Sequence, residues 1–302
     1  MRIVSLLPSA TEILFAVGAG DQVVGVTHEC DFPPEARGLP VVTEDLLPGG
    51  LSAAEIDRAV AAGVRDRHTI YRLDEERLRG LEPDVVVTQA LCEVCAVPTR
   101  LVEQAVCSMP RAAQVVSSDP PDLEGIFASM REIGAVVGAD TEPGLASLRY
   151  RLARVRELVE GLPQPRVAVL EWPDPPYAPG HWVPDMVEAA GGRSVLGSSG
   201  RPSRRVTWKE VLDSRPEVVV LAFCGFDLAE TVRRADEIEG EPWRRLTESV
   251  EVMAVDGSAY FSRPGPRVVN GVELLAWLLH NPDDLQPPPG GAAAHAGRPA
   301  TG

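Results

Sequence analysis

The sequence is poor in cysteine and has neither a long apolar segment nor a basic run. Its five cysteines in 302 residues are too few and too scattered for a disulfide framework. No stretch approaches the roughly eighteen consecutive apolar residues of a membrane-spanning helix, so we expect no membrane insertion. Lysine and arginine number 29 against 44 aspartate and glutamate. The net charge of −15 argues against nucleic-acid binding, which requires basic patches.

Motifs of common catalytic sites are also missing. The sequence has no GxxxxGK[ST], HExxH or GxSxG pattern. Gly18-Ala19-Gly20 ends a predicted helix instead of opening one, so it does not match a dinucleotide-binding loop. We therefore predict no catalytic residues.

The first twenty residues combine one arginine with an apolar stretch, as a secretory signal does. Pro8, Ser9, Thr11 and Glu12 interrupt that stretch, and Ser9 with Glu12 matches a helix capping box. The pattern predicts a strand, a turn and a capped helix, and we expect a cytoplasmic protein. The alternative is an exported protein whose true start lies upstream.

Apolar runs alternate with amphipathic helical patterns along the chain, which is typical of an α/β fold. Residues 85–87 and 218–222 are continuous apolar runs, which predict parallel strands covered on both faces. The longest helical pattern, 141–162, has apolar residues at spacings of three and four, Pro143 near its start and Gly161 near its end. Such a helix is about 30 Å long, enough to connect two domains.

We predict two Rossmann-like lobes with mostly parallel central sheets, joined by a single long backbone helix. Function is expected in the groove between the lobes. The predicted segments are an N-terminal lobe at 1–140, the helix at 141–162, a C-terminal lobe at 163–284 and a disordered Pro-, Gly- and Ala-rich tail at 285–302.

Aromatic residues are scarce, at 5% of the chain, yet many follow predicted strands. In open parallel sheets ligands bind beyond the carboxyl ends of the strands. A flat-walled apolar site there suits a large planar or macrocyclic ligand. The simpler alternative is that several of these rings only pack the loops onto the lobes. The predicted ligand-binding residues are Ser9, Phe32, Gln89, Trp172, Tyr177, His181, Trp182, Phe223, Phe226, Tyr260, Phe261 and Arg263.

Thiols and one imidazole also follow strand ends. These candidate metal ligands are His28, Cys30, Cys92, Cys95 and Cys224. Cys92-x-x-Cys95 has the spacing of a metal-ligand or redox pair, and the loops together could hold zinc, an iron–sulfur cluster or the metal of a bound cofactor. The alternative is a set of buried small residues with an accidental spacing. Cys107, inside a predicted helix, is assigned to the core.

Five segments resemble the substrate-binding proteins of vitamin B12 and iron-siderophore ABC importers. They are RIVSLLPSATE at 2–12, GAGDQVVGVT at 18–27, LEPDVVV at 81–87, RPEVVVL at 215–221 and RPGPR at 263–267. The resemblance is strongest to the vitamin B12 branch. It implies two lobes joined by a long helix and binding without catalysis.

The resemblance also implies docking on a permease through one glutamate on each lobe. Glu76 matches the first position, while the second falls on Lys209, with Glu210 one residue later.

We predict a monomeric, non-enzymatic binding protein for cobalamin, a related corrinoid or another metal chelate. Its partner would be a permease or a protein that accepts the cofactor. Two alternatives remain. One is a cysteine-dependent metal-binding or redox enzyme that uses the cleft thiols, and the other is the substrate-binding subunit of an ABC importer with a missed signal segment.

Overall fold

The computed structural model describes residues 1–65, 70–89, 99–287 and 294–295, which form two compact units. Unit 1 comprises Met1–Pro120 and Glu124–Ala146. Unit 2 comprises Pro121–Leu123 and Ser147–Gly302. Each unit contains its own parallel sheet.

Unit 1 is built on the parallel sheet β2-β1-β5-β6, with β3 and β4 as a separate antiparallel pair. Its strands are β1 (Ile3–Ser5), β2 (Val23–Gly25), β3 (Thr43–Asp45), β4 (Tyr71–Leu73), β5 (Val85–Thr88) and β6 (Gln114–Ser117). The helices are α1 (Pro8–Ala16), α2 (Ala53–Arg65), α3 (Glu75–Gly80), α4 (Thr99–Cys107) and α5 (Leu123–Val137), with short 3₁₀ helices at Gly20–Gln22 and Pro34–Gly38. All four residues of β5 are buried, as its continuous valines predict.

Unit 2 is built on the sheet β10-β7-β12-β13-β14, in which only β14 is antiparallel to its neighbour among the described strands. The strands of that sheet are β7 (Arg166–Leu170), β10 (Arg193–Ser194), β12 (Val218–Leu221), β13 (Glu251–Ala254) and β14 (Ala294–His295). A second, antiparallel sheet, β11-β9-β8, consists of β8 (Trp172–Pro173), β9 (Pro176–Ala178) and β11 (Arg204–Arg205).

The helices from the unit boundary onward are α6 (Glu142–Val159), α7 (Val183–Ala189), α8 (Trp208–Asp213), α9 (Leu228–Asp236), α10 (Glu241–Ser249), α11 (Gly257–Tyr260) and α12 (Val268–His280). The predicted α/β class with parallel central sheets is confirmed. The division between the units falls within α6, between Ala146 and Ser147. This helix ends three residues before the predicted end at 162, because Gly161 has a left-handed φ of 76° and the amide of Leu162 donates to the Val159 carbonyl.

The predicted capping box at Ser9 is wrong. Helix α1 begins at Pro8 with Leu7 as its N-cap, so Ser9 lies inside the helix and its side chain caps nothing. Pro8 at the first helical position is favoured there, since its missing N–H would have no partner in any case. A complete capping box occurs instead at Thr207 and Glu210, at the start of α8.

Part of the fold was not predicted. The segment that contains the predicted ligand contacts Trp172 and Tyr177 folds back as the β8–β9 hairpin, with Trp172 opposite Tyr177. Helices α9 and α10 were not assigned. In the expected disordered tail, β14 pairs with β13, while the tail residues at 288–293 and 296–302 lie outside the described residues.

Candidate functional site

Three loops meet at the carboxyl edge of the unit 2 sheet. They follow β7, β12 and β13, and backbone hydrogen bonds join them: the amide of Cys224 donates to the Glu171 carbonyl (2.9 Å), and the amide of Ser258 donates to the Phe226 carbonyl (3.0 Å). We call these loops, together with the β8–β9 hairpin and the adjoining segment up to Trp182, the unit 2 rim. It is a preorganised surface, because its backbone is fixed by the sheet beneath it.

Gly257 permits two of these loops to approach closely. A Cβ atom at this position would lie 2.2 Å from the carbonyl oxygen of Phe223. No side chain fits there without moving the backbone. The spacing of the loops after β12 and β13 therefore depends on this glycine.

Trp172 and Phe226 form an aromatic pair on the rim. Their ring centroids are 5.2 Å apart and the rings are tilted by 31°. The guanidinium of Arg234 lies 5.3 Å from the Phe226 ring centroid and is ion-paired with Glu230 (2.8 Å). Hydrogen bonds from Arg233, and also from Arg234, lower the pKa of Glu230 to about 2. The pair is thus held by a charged network while both rings remain only half-buried.

Tyr177 is positioned by the antiparallel sheet beside this pair. Its hydroxyl accepts a hydrogen bond from Nε of Arg205 (2.8 Å), whose guanidinium lies 5.7 Å from the Tyr177 ring centroid. Since Trp172 and Tyr177 are cross-strand neighbours, the hairpin brings a third half-buried ring to the rim.

His181 and Trp182 continue the rim after β9. Trp182 is buried, and its Nε1 donates to the Phe261 carbonyl (2.7 Å). The half-buried ring of His181 lies 5.7 Å from the Trp182 ring, and burial lowers the pKa of its imidazole. The His181 backbone has a left-handed φ of 50°, which is uncommon for a residue with a side chain.

The segment after β13 contributes charge. Asp256 caps α11, accepting from the amide of Ala259 (2.7 Å). Arg263 donates to the Ser258 hydroxyl (3.1 Å), and the guanidinium of Arg267 lies 5.9 Å from the Tyr260 ring centroid. Burial, followed by the charge of Asp256, raises the pKa of Tyr260, so the phenol stays protonated. This segment thus combines arginines with the half-buried carboxylate of Asp256.

Replacing Asp256 with asparagine should change how stability depends on pH. Burial raises the pKa of Asp256, and the charge of Asp227 acts in the same direction. The hydrogen bond from the Ala259 amide opposes this shift, as do the charges of Arg267 and Arg263. Between its ordinary and its raised pKa the folded chain binds more protons than the unfolded chain, so stability falls as pH rises through that window. Asparagine keeps a capping oxygen and has no charge to bury.

Urea unfolding of Asp256→Asn and the wild type at about pH 4 and about pH 7 measures this effect. The variant should gain stability relative to the wild type at the higher pH. If the stability difference between Asp256→Asn and the wild type is the same at both pH values, or favours the variant more at the lower pH, the folded protein does not raise the pKa of Asp256.

Two predicted ligand contacts are buried instead of lining the rim. Phe223 is 0% exposed within the unit 2 core, and Phe261 is 1% exposed. Tyr260 and Arg263 are also largely buried. Sequence alone does not distinguish a ring that points into the core from one that points outward.

Unit 1 places three predicted ligand contacts after strand ends, with different exposure. Phe32 is 41% exposed, whereas Gln89 is 7% and Ser9 is 2% exposed. The carbonyl of Gln89 accepts from the Thr99 hydroxyl (3.0 Å). Of the three, Phe32 presents the largest surface to a ligand.

The candidate metal ligands do not form a described cluster. Cys30 is buried, with its Sγ 3.0 Å from the Thr11 hydroxyl and 3.2 Å from the Thr27 hydroxyl. His28 is exposed and its Nδ1 is 2.8 Å from the Thr43 hydroxyl.

Cys92 and Cys95 lie outside the described residues, and Cys224 is half-buried in unit 2. In the described parts of the chain, no three His, Cys, Asp or Glu side chains are arranged to hold a metal ion. The prediction that Cys107 belongs to the core is wrong, because it ends α4 and is exposed.

The two candidate docking glutamates differ in their local bonding. Glu76 is exposed in the first turn of α3. Glu210 accepts from the amide and hydroxyl of Thr207 and from Arg204, and these bonds lower its pKa. Lys209 is ion-paired with Asp213. Glu210 is therefore part of its own helix cap, and Glu76 is the more available of the two.

Sequence reasoning missed the residues that support the rim. Arg205, Arg234 and Asp256 were not predicted because none of them belongs to a recognised motif, and Arg267 was passed over although it lies in the RPGPR segment. Of the two arginines in the RPGPR segment, Arg263 was predicted to contact the ligand and is the more buried. Arg267 is half-buried.

The family model of periplasmic binding proteins matches residues 3–250. The vitamin B12-binding protein of Vibrio cholerae is 22% identical over 288 residues, covering 92% of this chain and 88% of that protein. The vitamin B12-binding protein of Photorhabdus laumondii is 23% identical over 287 residues, covering 93% and 88%.

Solved structures show the same fold. A periplasmic heme-binding protein from Pseudomonas aeruginosa has a TM-score of 0.71 at 17% identity, covering 98% of each chain. The periplasmic vitamin B12-binding protein of Vibrio cholerae has a TM-score of 0.63 at 21% identity, covering 94% of this chain and 98% of that one.

The prediction of a cytoplasmic protein is wrong. The matched family is that of periplasmic binding proteins, and both similar structures are of periplasmic proteins. Among the helices of the described residues, none combines the length and the apolarity needed to cross a bilayer.

Proposed function

Because this chain belongs to the periplasmic binding protein family, we propose that it binds cobalamin, or a heme or iron chelate of similar size, and releases it chemically unchanged. The observation that carries this proposal is the unit 2 rim. Trp172, Tyr177 and Phe226 lie together at the carboxyl edge of a parallel sheet with their rings half-buried. Such an edge is where open α/β sheets bind ligands, and grouped aromatic rings suit a flat macrocycle.

The relatives support the ligand class. Two similar proteins are named for vitamin B12 binding, and the P. aeruginosa structure is of a heme-binding protein. These ligands share a large macrocycle around a metal and carry phosphate or carboxylate groups. Arg205, which contacts the rim residue Tyr177, and Arg267, which contacts Tyr260, have the charge that such anionic groups require. We infer a macrocyclic metal chelate as the ligand.

The cysteine-dependent enzyme is the weaker alternative. Cys30 is buried in unit 1 among the hydroxyls of Thr11 and Thr27, whereas a reactive thiol needs an accessible and electropositive surrounding. The relatives are binding proteins, which also favours binding without catalysis.

Gel filtration with added chelate tests the proposal. Purified full-length protein is mixed with aquacobalamin or with hemin, and the protein peak is collected. We expect one of the two chelates to elute with the protein and, after denaturation of that peak, to be recovered with its mass unchanged. Elution of both chelates only at the position of free small molecules contradicts binding. Recovery of a modified chelate contradicts the absence of catalysis.

We also propose that Glu76 contributes to docking on a permease. It is exposed at the start of α3, where its carboxylate is accessible to a partner. Glu76→Arg should leave chelate affinity unchanged and reduce uptake in cells that depend on this protein, because charge reversal replaces attraction with repulsion. Glu75→Arg, the adjacent exposed glutamate, is the matched control. Equal uptake by Glu76→Arg and the wild type would remove this role.

A further inference from the structure

His181 is held in a backbone conformation that its residue type does not favour. Its φ of 50° lies in the left-handed region, and hydrogen bonds fix the backbone on both sides: its amide donates to the Arg201 carbonyl (2.7 Å), and its carbonyl accepts from Gly200 (3.1 Å). A strained residue held by its surroundings often has a functional role. Glycine or asparagine would fit with less strain, so the imidazole itself needs an explanation.

The imidazole of His181 is available to a ligand. Among the described residues, none forms a hydrogen bond with its ring nitrogens. The ring is half-buried and is backed by the buried Trp182, which is anchored to the Phe261 carbonyl. Burial lowers the pKa of His181, so the ring is neutral at neutral pH and keeps a nitrogen lone pair. A neutral imidazole is a common ligand of cobalt and iron.

The position of His181 relates it to the aromatic rings of the rim. It lies four residues after Tyr177, a distance of at most about 14 Å along the chain. Trp172 is the cross-strand neighbour of Tyr177. The imidazole and the aromatic rings are therefore parts of one continuous segment of unit 2.

We propose that His181 supplies an axial nitrogen ligand to the metal of the bound chelate. This inference rests on the proposed function and specifies its ligand: a chelate whose metal has an exchangeable axial position. The ring nitrogen donates its lone pair to the metal, the bond from the metal to a coordinated water breaks, and the water leaves. No electron is transferred, and the metal keeps its oxidation state.

Absorption spectroscopy of the full-length protein tests this inference. Aquacobalamin and hemin are titrated into the wild type, His181→Asn and His28→Asn. His28 is the matched control, because it is an exposed imidazole in unit 1 whose Nδ1 is engaged by Thr43. Cyanocobalamin is the control ligand, because cyanide occupies its axial position. His181→Gly, which accepts the left-handed backbone, is a second variant.

We expect the visible spectrum of aquacobalamin or of hemin to change on binding to the wild type and to His28→Asn, and not on binding to the two His181 variants. Affinity for that chelate should fall about tenfold in the His181 variants. If the responding chelate is aquacobalamin, cyanocobalamin affinity should stay within about twofold, which also shows that the variants are folded.

Three results would overturn the inference. Binding with no spectral change in the wild type, or a change that persists without His181, excludes this ligation and leaves the proposed function intact. A change that is lost only in His28→Asn assigns the ligand to His28. If no chelate binds to any variant or to the wild type, the proposed function fails together with this inference.

Discussion

Trp172→Ala should weaken chelate binding about 30-fold while leaving the protein folded. The Trp172 ring packs against Phe226 at a centroid distance of 5.2 Å, and an indole is the largest ring among the half-buried aromatic residues of the rim. Removing an aromatic residue of this kind from a binding surface typically costs about 2 kcal/mol, which corresponds to that change in affinity. Calorimetric titration of both proteins with the chelate measures it.

Trp208→Ala is the matched control for this prediction. Trp208 is also a half-buried tryptophan of unit 2, but its ring packs on Trp243 at 4.8 Å and against the core. The control should lower stability with little change in affinity. If Trp172→Ala binds the chelate as tightly as the wild type, or if Trp208→Ala loses more affinity than Trp172→Ala, the ligand does not lie on the Trp172 ring.

Phe223→Ala should have the opposite profile, with a large loss of stability. Phe223 is fully buried in the core beneath the rim, so its removal leaves a cavity. Phenylalanine-to-alanine changes in cores cost about 3–5 kcal/mol. Urea unfolding measures the change, and the midpoint should fall without a change in slope.

Phe226→Ala provides the comparison. Its ring is half-buried at the rim. Phe226→Ala should therefore destabilise the protein less than Phe223→Ala does, and it should weaken chelate binding more. If Phe223→Ala costs less than about 1 kcal/mol, the ring is not a core residue and belongs with the ligand contacts. The two variants thus separate the aromatic residues that support the rim from those that form it.

The strands and the last helix were predictable because they depend on local patterns. Continuous valines at 85–87 and 218–220 leave no polar face, so they are stable only between two layers of the fold. Helix α12 (Val268–His280) has a strongly apolar pattern that ends at Asn281, in a left-handed conformation.

The site was only partly predictable because it depends on tertiary contacts. The order of the strands brings the loops after β7, β12 and β13 together, and this order is not encoded locally. Phe223 and Phe226 lie in the same loop after β12, yet one is buried in the core and the other is half-buried at the rim. Only two residues separate them, and the direction of each ring is set by the neighbouring loops.

The capping box at Ser9 shows the same limitation. Ser9 and Glu12 have the spacing of a box, but Pro8 begins the helix one residue earlier, and Ser9 is then inside it. Thr207 and Glu210 have the same spacing and do form the box, because Thr207 has the extended backbone of an N-cap. The pattern alone did not identify which of the two would form.

Calorimetric titration of the purified wild-type protein with aquacobalamin and with hemin is the most direct measurement of whether this chain holds a metal macrocycle. The expected result is one-to-one binding of one of these chelates with a Kd of about 1 μM or lower, and about 30-fold weaker binding by Trp172→Ala. The absence of heat with both chelates at concentrations of about 100 μM would contradict the account.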